Sequence, residues 1–177
     1  MTSLRLKPAC LDLYPEFALA CHRDAWCISH GSVAGFDEAQ TRVWLDTLTR
    51  EQPQGLLHLW RHHSPIGQLE LAPAMARMDG SLGGYIYLFY LVPQWRGRGL
   101  GRWLLEQALQ RIRAAGSTSA GLRYVPTHLA AECFYLRQGW RKEGRADERG
   151  QLLVKDLTPL MPPMRYASPL STKRKSP

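Results

Sequence analysis

The sequence predicts a single mixed α/β domain, a sheet of about seven strands with helices on both faces. Three observations predict it. The hydrophobic pattern runs strand, two helices, three strands, helix, strand, helix, two strands, with no internal repeat and no linker before residue 158. An apolar run, "GGYIYLFYLV", passes through a glycine-rich turn into a leucine-rich helix and then into "SAGLRYV". Strands joined by such a crossover should run in the same direction. Finally, 177 residues of which 45% are hydrophobic suffice for one real core. The domain is expected over residues 1–157, followed by a proline-rich and then basic tail over 158–177.

The elements follow from local patterns. "SLRLKPA" reads as the first strand. "YPEFALACHRDAWCI" has helical spacing, with Phe17, Ala20, Cys21, Asp24 and Trp26 near one face. "DEAQTRVWLDTLTR" is a second helix, capped by Asp37 with Gln40 completing a capping box, and with Val43, Trp44 and Leu48 as its apolar face. "GLLHLWRHHSPIGQLEL" reads as a hairpin that turns at "HHSP". "GGYIYLFYLV" is rich in aromatic and β-branched residues and should be buried on both faces. The helix after it sets Leu104, Leu105, Ala108, Leu109 and Ile112 opposite Arg102, Glu106, Gln110 and Arg113, and Gly116 ends it. "THLAAECFYLRQ" is a short helix with Thr127 as its N-cap and Gly139 as its stop, and residues 140–157 form a last hairpin.

Bulk properties exclude several classes. No apolar run approaches the roughly 18–20 residues of a membrane helix, and the N-terminus lacks the pattern of a signal peptide. The expectation is a cytoplasmic protein without a membrane partner. Cys10, Cys21, Cys27 and Cys133 form no CxxC pair and read as reduced core thiols. His58, His62 and His63 lack acidic or cysteine partners nearby, so no metal is expected. The net charge of +8 attracts anions, and part of it lies in the terminal "STKRKSP".

The stretch "RGRGLGRWLLEQAL" carries the chemistry. Glycine between a strand and a helix costs order but allows positive φ and close approach to the backbone. Free N–H groups at a helix N-terminus, helped by the helix dipole, make an anion site. Gly97, Gly99 and Gly101 fit this need, and Arg96, Arg98 and Arg102 add charge. A dinucleotide fingerprint fails on spacing, because counting from Gly97 the last glycine position is Arg102. A Walker loop fails because no lysine follows the glycines.

"LVPQWRGRGLGRWLLEQAL" resembles motif A of the GCN5-related N-acetyltransferases, R/Q-x-x-G-x-G/A after a V-x-P turn, with Arg96, Gly99 and Gly101 in the defining places. "HLAAECFYLRQGW" resembles the same family's second motif through Ala131, Phe134, Tyr135, Gly139 and the aromatic Trp140. The resemblance implies a mostly antiparallel sheet with splayed central parallel strands, 85–92 and 119–125, and acetyl-CoA as co-substrate in the cleft between them. By position it assigns backbone groups of Phe89, Tyr90 and Leu91 to the acetyl group and pantetheine arm. Gly97, Arg98, Gly99, Leu100, Gly101 and Arg102, with Arg96 before them, would cradle the pyrophosphate. Tyr135 would lie near the sulfur, as the acid for the departing thiolate.

Acetyl transfer also needs a neutral amine, and an alkyl amine with pKa near 10.4 is almost wholly protonated at pH 7. Relatives carry a glutamate at the position of Tyr85 or of Arg123; this chain does not. Glu70 is the remaining candidate base, directly or through water, beside the plainer reading of a solvent-facing edge carboxylate. His128 stands where the second motif has asparagine, as a cofactor contact, a base or merely a helix-start residue. Trp26, Trp44, Tyr85 and Tyr87 are available to line an acceptor pocket or, equally, to fill the core; such a pocket suits a small-molecule or amino-acid-like amine better than a long basic peptide. The expected function is N-acetyl transfer from acetyl-CoA to such an amine. Two alternatives are another acyl-CoA or a hydroxyl acceptor, and a catalytically silent CoA-sensing or nucleic-acid-binding module. Nucleic acid is not the expected partner, and homodimerisation stays open.

Overall fold

The computed structural model describes residues 4–158, so the expected tail lies outside the described residues apart from Thr158. The elements are β1 Leu4–Pro8, α1 Pro15–His30, α2 Glu38–Glu51, β2 Leu56–Arg61, β3 Ser64–Ala76, β4 Leu82–Leu91, α3 Leu100–Ala114, β5 Ser119–Tyr124, α4 Leu129–Arg137, β6 Arg141–Asp147 and β7 Gly150–Asp156, with a 3-10 turn at Pro93–Trp95. They form one seven-stranded sheet in the order β1-β2-β3-β4-β5-β7-β6. Every neighbouring pair is antiparallel except β4 and β5, the pair joined by α3.

Side chains alternate across a strand, so one strand can feed two cores. Leu57 and Leu59 of β2 and Leu69 and Leu71 of β3 pack with Leu104, Leu105, Ala108, Leu109 and Ile112, the predicted stripe of α3. Leu56 faces the other way and packs with Ala18 and Leu19 of α1 and Leu45 and Leu48 of α2. Each buried leucine contributes about 1.5–3 kcal/mol. The helices are therefore on both faces, as expected. Asp37 caps α2 by accepting from the Gln40 N–H at 2.9 Å.

Several local expectations shift. Val43 is 65% exposed and Leu45 takes its place, because two positions amount to about 200° around a helix. On α1 the buried residues are Ala18, Leu19 and Cys21, and Ala20 faces solvent. β3 continues past Leu71 to Ala76, with Pro73 at a register irregularity between Ala72 and Met75, where its missing N–H does no harm. α4 is capped by His128 rather than Thr127, without a side-chain cap bond. All four cysteines are free, but only Cys21 is in the core; Cys10 and Cys133 are exposed. His62 and His63 form the turn between β2 and β3, whereas His58 is fully buried.

Candidate active site

The sheet opens at its centre. β4 pairs with β5 only from Gly83 to Ile86, against Ser119 to Leu122. On its other edge β4 stays paired with β3 as far as Leu91, with one slip: Glu70 lies opposite Leu88, but Leu71 lies opposite Ile86. Tyr87 is the extra residue of that bulge. It leaves Tyr87 39% exposed, so β4 is not buried on both faces as its composition suggested. The Val92 N–H donates to the Ile66 carbonyl at 3.0 Å. Antiparallel alternation then commits the Tyr90 backbone to Gln68 and turns the N–H groups of Phe89 and Leu91 toward the side that β5 has left. Two backbone donors thus face a gap.

The glycine loop lies at the end of that gap. Gly97 and Gly99 have φ of +70° and +79°, and a Cβ at either would meet no protein atom within 4 Å. Gly99 is the N-cap of α3. The first intrahelical acceptor bond is from the Trp103 N–H to the Gly99 carbonyl at 3.2 Å, so the N–H groups of Leu100, Gly101 and Arg102 have no partner within the helix. The space is open, rimmed by donors and close to the positive end of a helix, and it fits a phosphate group. A cavity of about 530 Å³ continues from Gly99 along Arg102, Trp103 and Glu106 of α3 toward Gln138 and Lys155. Arg98 leans on the Trp95 ring, 5.2 Å from its centroid. Arg96 turns away from the loop: its Nε–H donates to the Leu91 carbonyl at 2.7 Å and its Nη2 reaches Asp24 of α1 at 3.0 Å.

Aromatic residues divide between the two faces. Phe89 stacks on Phe134 with centroids 5.9 Å apart and meets Tyr135 edge-on at 6.2 Å. Burial pushes the Tyr135 phenol well above its ordinary range, so it keeps its proton. Its hydroxyl makes no hydrogen bond to another described residue. On the opposite face Trp44, Tyr87 and Tyr85 form a row with successive centroids 4.9 and 5.0 Å apart. Trp26 does not join this row; it stacks on His30 at 3.9 Å. Trp26 and Trp44 instead border a cavity of about 390 Å³ between α1 and α2, together with His22, Phe36 and Asp37.

Beneath that cavity lies a polar cluster. Glu70 is mid-strand and fully buried, which overturns the reading of a solvent-facing edge carboxylate. Its Oε1 accepts from Gln68 Nε2–H at 2.6 Å and lies 2.6 Å from His22 Nε2; its Oε2 accepts from Trp44 Nε1–H at 2.8 Å. Gln68 Oε1 lies 3.0 Å from Nε2 of His58. Burial depresses the His58 imidazole and keeps it neutral, so Nε2–H is the donor to Gln68. The Tyr90 hydroxyl donates to Asp24 at 2.5 Å, and burial followed by that carboxylate pushes the phenol up.

The model of the acetyltransferase (GNAT) family matches residues 17–140, well over half of the chain. The chain belongs to this family. GNAT members carry out acetyl-CoA-dependent acyl transfer. Solved structures share the fold. PaiA N-acetyltransferase from Thermoplasma acidophilum, in complex with coenzyme A, is 18% identical, with 87% of this chain and 99% of that chain covered and a TM-score of 0.66. A GNAT acetyltransferase from Staphylococcus aureus Mu50 is 13% identical over 88% and 99% of the two chains, with a TM-score of 0.70. The NatC complex bound to Gag peptide and CoA includes a chain 18% identical over 88% and 99%, with a TM-score of 0.67. No curated protein matches the chain in sequence.

Within this GNAT domain His128 is the helix-start residue of α4, partly buried, with its N–H donating to the Val125 carbonyl at 2.8 Å. Sequence reasoning missed His22, Gln68 and Asp24 as members of the site. The signal available was the alternation "QLEL": polar Gln68 and Glu70 share a face, and a polar pair in the middle of a central strand needs partners from whatever covers it. No helix among the described residues is long and apolar enough to cross a membrane.

Proposed function

We propose that this protein transfers the acetyl group of acetyl-CoA directly to the primary amine of a small-molecule or amino-acid-like acceptor. The observation that carries the reading is the opening of the sheet after Ile86, with the Phe89 and Leu91 N–H groups facing it and the Gly97–Arg102 loop at its end. Those two N–H groups are the donors for the thioester oxygen as it gains charge. The loop backbone and Arg102 hold the pyrophosphate, with Arg98 and Leu100 at its edge. Tyr135, protonated and without a hydrogen-bond partner among the described residues, gives its proton to the departing thiolate. Arg96 serves the Leu91 N–H donor indirectly, by fixing the adjacent Leu91 carbonyl. The four free thiols accord with a reducing cytoplasm.

The aromatic cavity between α1 and α2, about 390 Å³, supports a small acceptor. Tyr85 and Tyr87 extend that aromatic lining toward the gap. The NatC structure has a peptide bound, so peptides belong in the test. Thiol release from acetyl-CoA is measured over a panel of aromatic and aliphatic amines, amino acids and short peptides. The expected result is the highest kcat/KM with a small amine. Turnover with peptides alone would refute the small-acceptor reading, and CoA binding without turnover on any acceptor would refute the enzyme.

A further inference from the structure

Resting on that acetyl-transfer reading, we propose that His22 takes the proton from the acceptor amine at Nδ1, and that Glu70 is the positioning residue that holds it there. The argument starts from the lone pairs of Glu70. Trp44 Nε1 and Gln68 Nε2 can only donate, and the Gln68 amide is oriented by the Nε2–H of His58. Both oxygens of the fully buried Glu70 are thus engaged, with no open side for a substrate. A carboxylate oxygen at 2.6 Å requires the hydrogen of the neutral His22 ring to be on Nε2. Nδ1 is then the bare, basic nitrogen. It makes no hydrogen bond to a described residue, the side chain retains 19% exposure, and the ring borders the cavity between α1 and α2.

The position suits the task. Glu70 lies opposite Leu88, beside the Tyr87 bulge and just past the last β4–β5 pair at Ile86. Cys21 on α1 and Tyr90 on β4 are kept protonated, chiefly by burial. His58 on β2 is kept neutral by burial. Asp24 on α1 is engaged by Tyr90 and Arg96. Asp37 at the start of α2 and His30 on α1 border the same cavity. The charge facing the ring is therefore the Glu70 carboxylate, with Asp37 at the rim.

The step balances as follows. The acceptor ammonium gives one proton to Nδ1, forming an imidazolium that keeps Nε2–H on Glu70. The freed nitrogen lone pair attacks the thioester carbonyl carbon; the C–N bond forms and the C–S bond breaks, with its electron pair going to sulfur. The thiolate takes a proton from Tyr135, the second proton lost by the acceptor nitrogen restores the phenol, and His22 returns its proton to solvent.

The test combines kinetics with spectroscopy. In His22→Ala, kcat at pH 7 should fall about 100-fold, while KM for acetyl-CoA stays within about twofold. The acid limb of the pH–rate profile should vanish, and added imidazole should restore part of the rate. Glu70→Gln should cost about tenfold and displace that limb without removing it, as expected of a residue acting through another. Long-range ¹H–¹⁵N NMR of the full chain without ligands should show His22 with hydrogen on Nε2 and none on Nδ1. The opposite tautomer would overturn the proposal, whatever acceptor is used. So would a His22→Ala enzyme with wild-type rate and an intact acid limb, or a Glu70→Gln variant that loses all turnover while His22→Ala keeps it. Absence of thiol release from the unaltered protein with every acceptor would overturn the acetyl-transfer reading and this inference together.

Discussion

Gly99→Ala separates the cost of a strained backbone from the cost of a blocked ligand. Gly99 has φ of +79°, and a Cβ there meets nothing within 4 Å. The substitution therefore disturbs no protein contact, and its stability cost is the left-handed conformation alone, about 1–2 kcal/mol. At about 2–4 °C per kcal/mol for a chain of this size, Tm should fall by about 2–8 °C. Gly144 provides the matched control: φ is +64°, a Cβ again meets nothing within 4 Å, and the site is on β6 at the far edge of the sheet. Gly144→Ala should lose a similar Tm and leave CoA affinity unchanged. Gly99→Ala should in addition displace a phosphate from the loop's N–H groups. Losing one charge-assisted hydrogen bond costs about 1.5–3 kcal/mol, or about 10–150-fold in Kd. Calorimetric titration with CoA, alongside thermal denaturation of both variants, reads the two effects separately. Wild-type CoA affinity in a Gly99→Ala protein whose Tm loss equals that of Gly144→Ala would refute the cradle.

Three other outcomes are expected. Tyr135→Phe keeps the ring packed against Phe89 and Trp140 and should lower kcat by about 10–1,000-fold with acetyl-CoA binding unchanged, since water can substitute for part of a general acid; full turnover with chemistry rate-limiting would exclude the acid role. Trp44→Phe keeps an aromatic against Tyr87 but removes the N–H on Glu70 Oε2; a buried carboxylate short of one donor costs about 1.5–3 kcal/mol, measured by chemical denaturation. His58 has a folded pKa depressed below 6.5 by burial, so the native state binds fewer protons than the unfolded one and stability should fall as pH drops below about 6.5 toward the folded value, at up to about 1.4 kcal/mol per pH unit. His58→Gln should flatten that slope, and an unchanged slope would show that His58 does not contribute to it.

What the sequence discloses is what its local patterns control. The α3 stripe, the strand–helix–strand crossover and the glycine loop each depend on neighbours within a few residues, and each was legible. The sheet opening was legible only through the family resemblance, because nothing in "YIYLFYLV" marks where pairing with β5 stops. The Tyr87 bulge is likewise a property of two strands, not of one. The polar cluster was hidden for a different reason. "QLEL" alternates polar and apolar residues as a half-exposed strand does, and the alternation is real; but the polar face is covered by α1 and α2, so Glu70 is in the interior. His22 is 48 positions away from Glu70 and Trp44 is 26 away, and no periodicity connects them. Val43 misled because apolar residues of α2 lie on more than one side of the helix, and packing selected the side of Leu45 and Leu48.

Arg96 shows how the two faces of the sheet meet at one backbone donor. Its ion pair with Asp24 joins side chains 41% and 38% exposed, so the pair itself contributes little stability. The hydrogen bond from Nε to the Leu91 carbonyl has more consequence. That carbonyl and the Val92 N–H belong to one peptide plane, which Arg96 holds from one side and the Ile66 carbonyl from the other. The preceding plane carries the Tyr90 carbonyl, committed to β3, and the Leu91 N–H, which faces the gap. Both planes flanking Leu91 are therefore fixed before any ligand arrives. In the proposed reaction the Leu91 N–H stabilises the developing oxyanion, and a donor that need not reorient loses nothing to reorganisation in the transition state. Arg96→Lys would keep the charge near Asp24 but lose the fork that reaches two acceptors at once. The defect should therefore appear in kcat, while CoA affinity, assigned by the proposal to Gly97, Gly99 and the α3 N-terminus, should stay near wild type. A variant impaired only in CoA binding would instead show that the guanidinium acts at the phosphates.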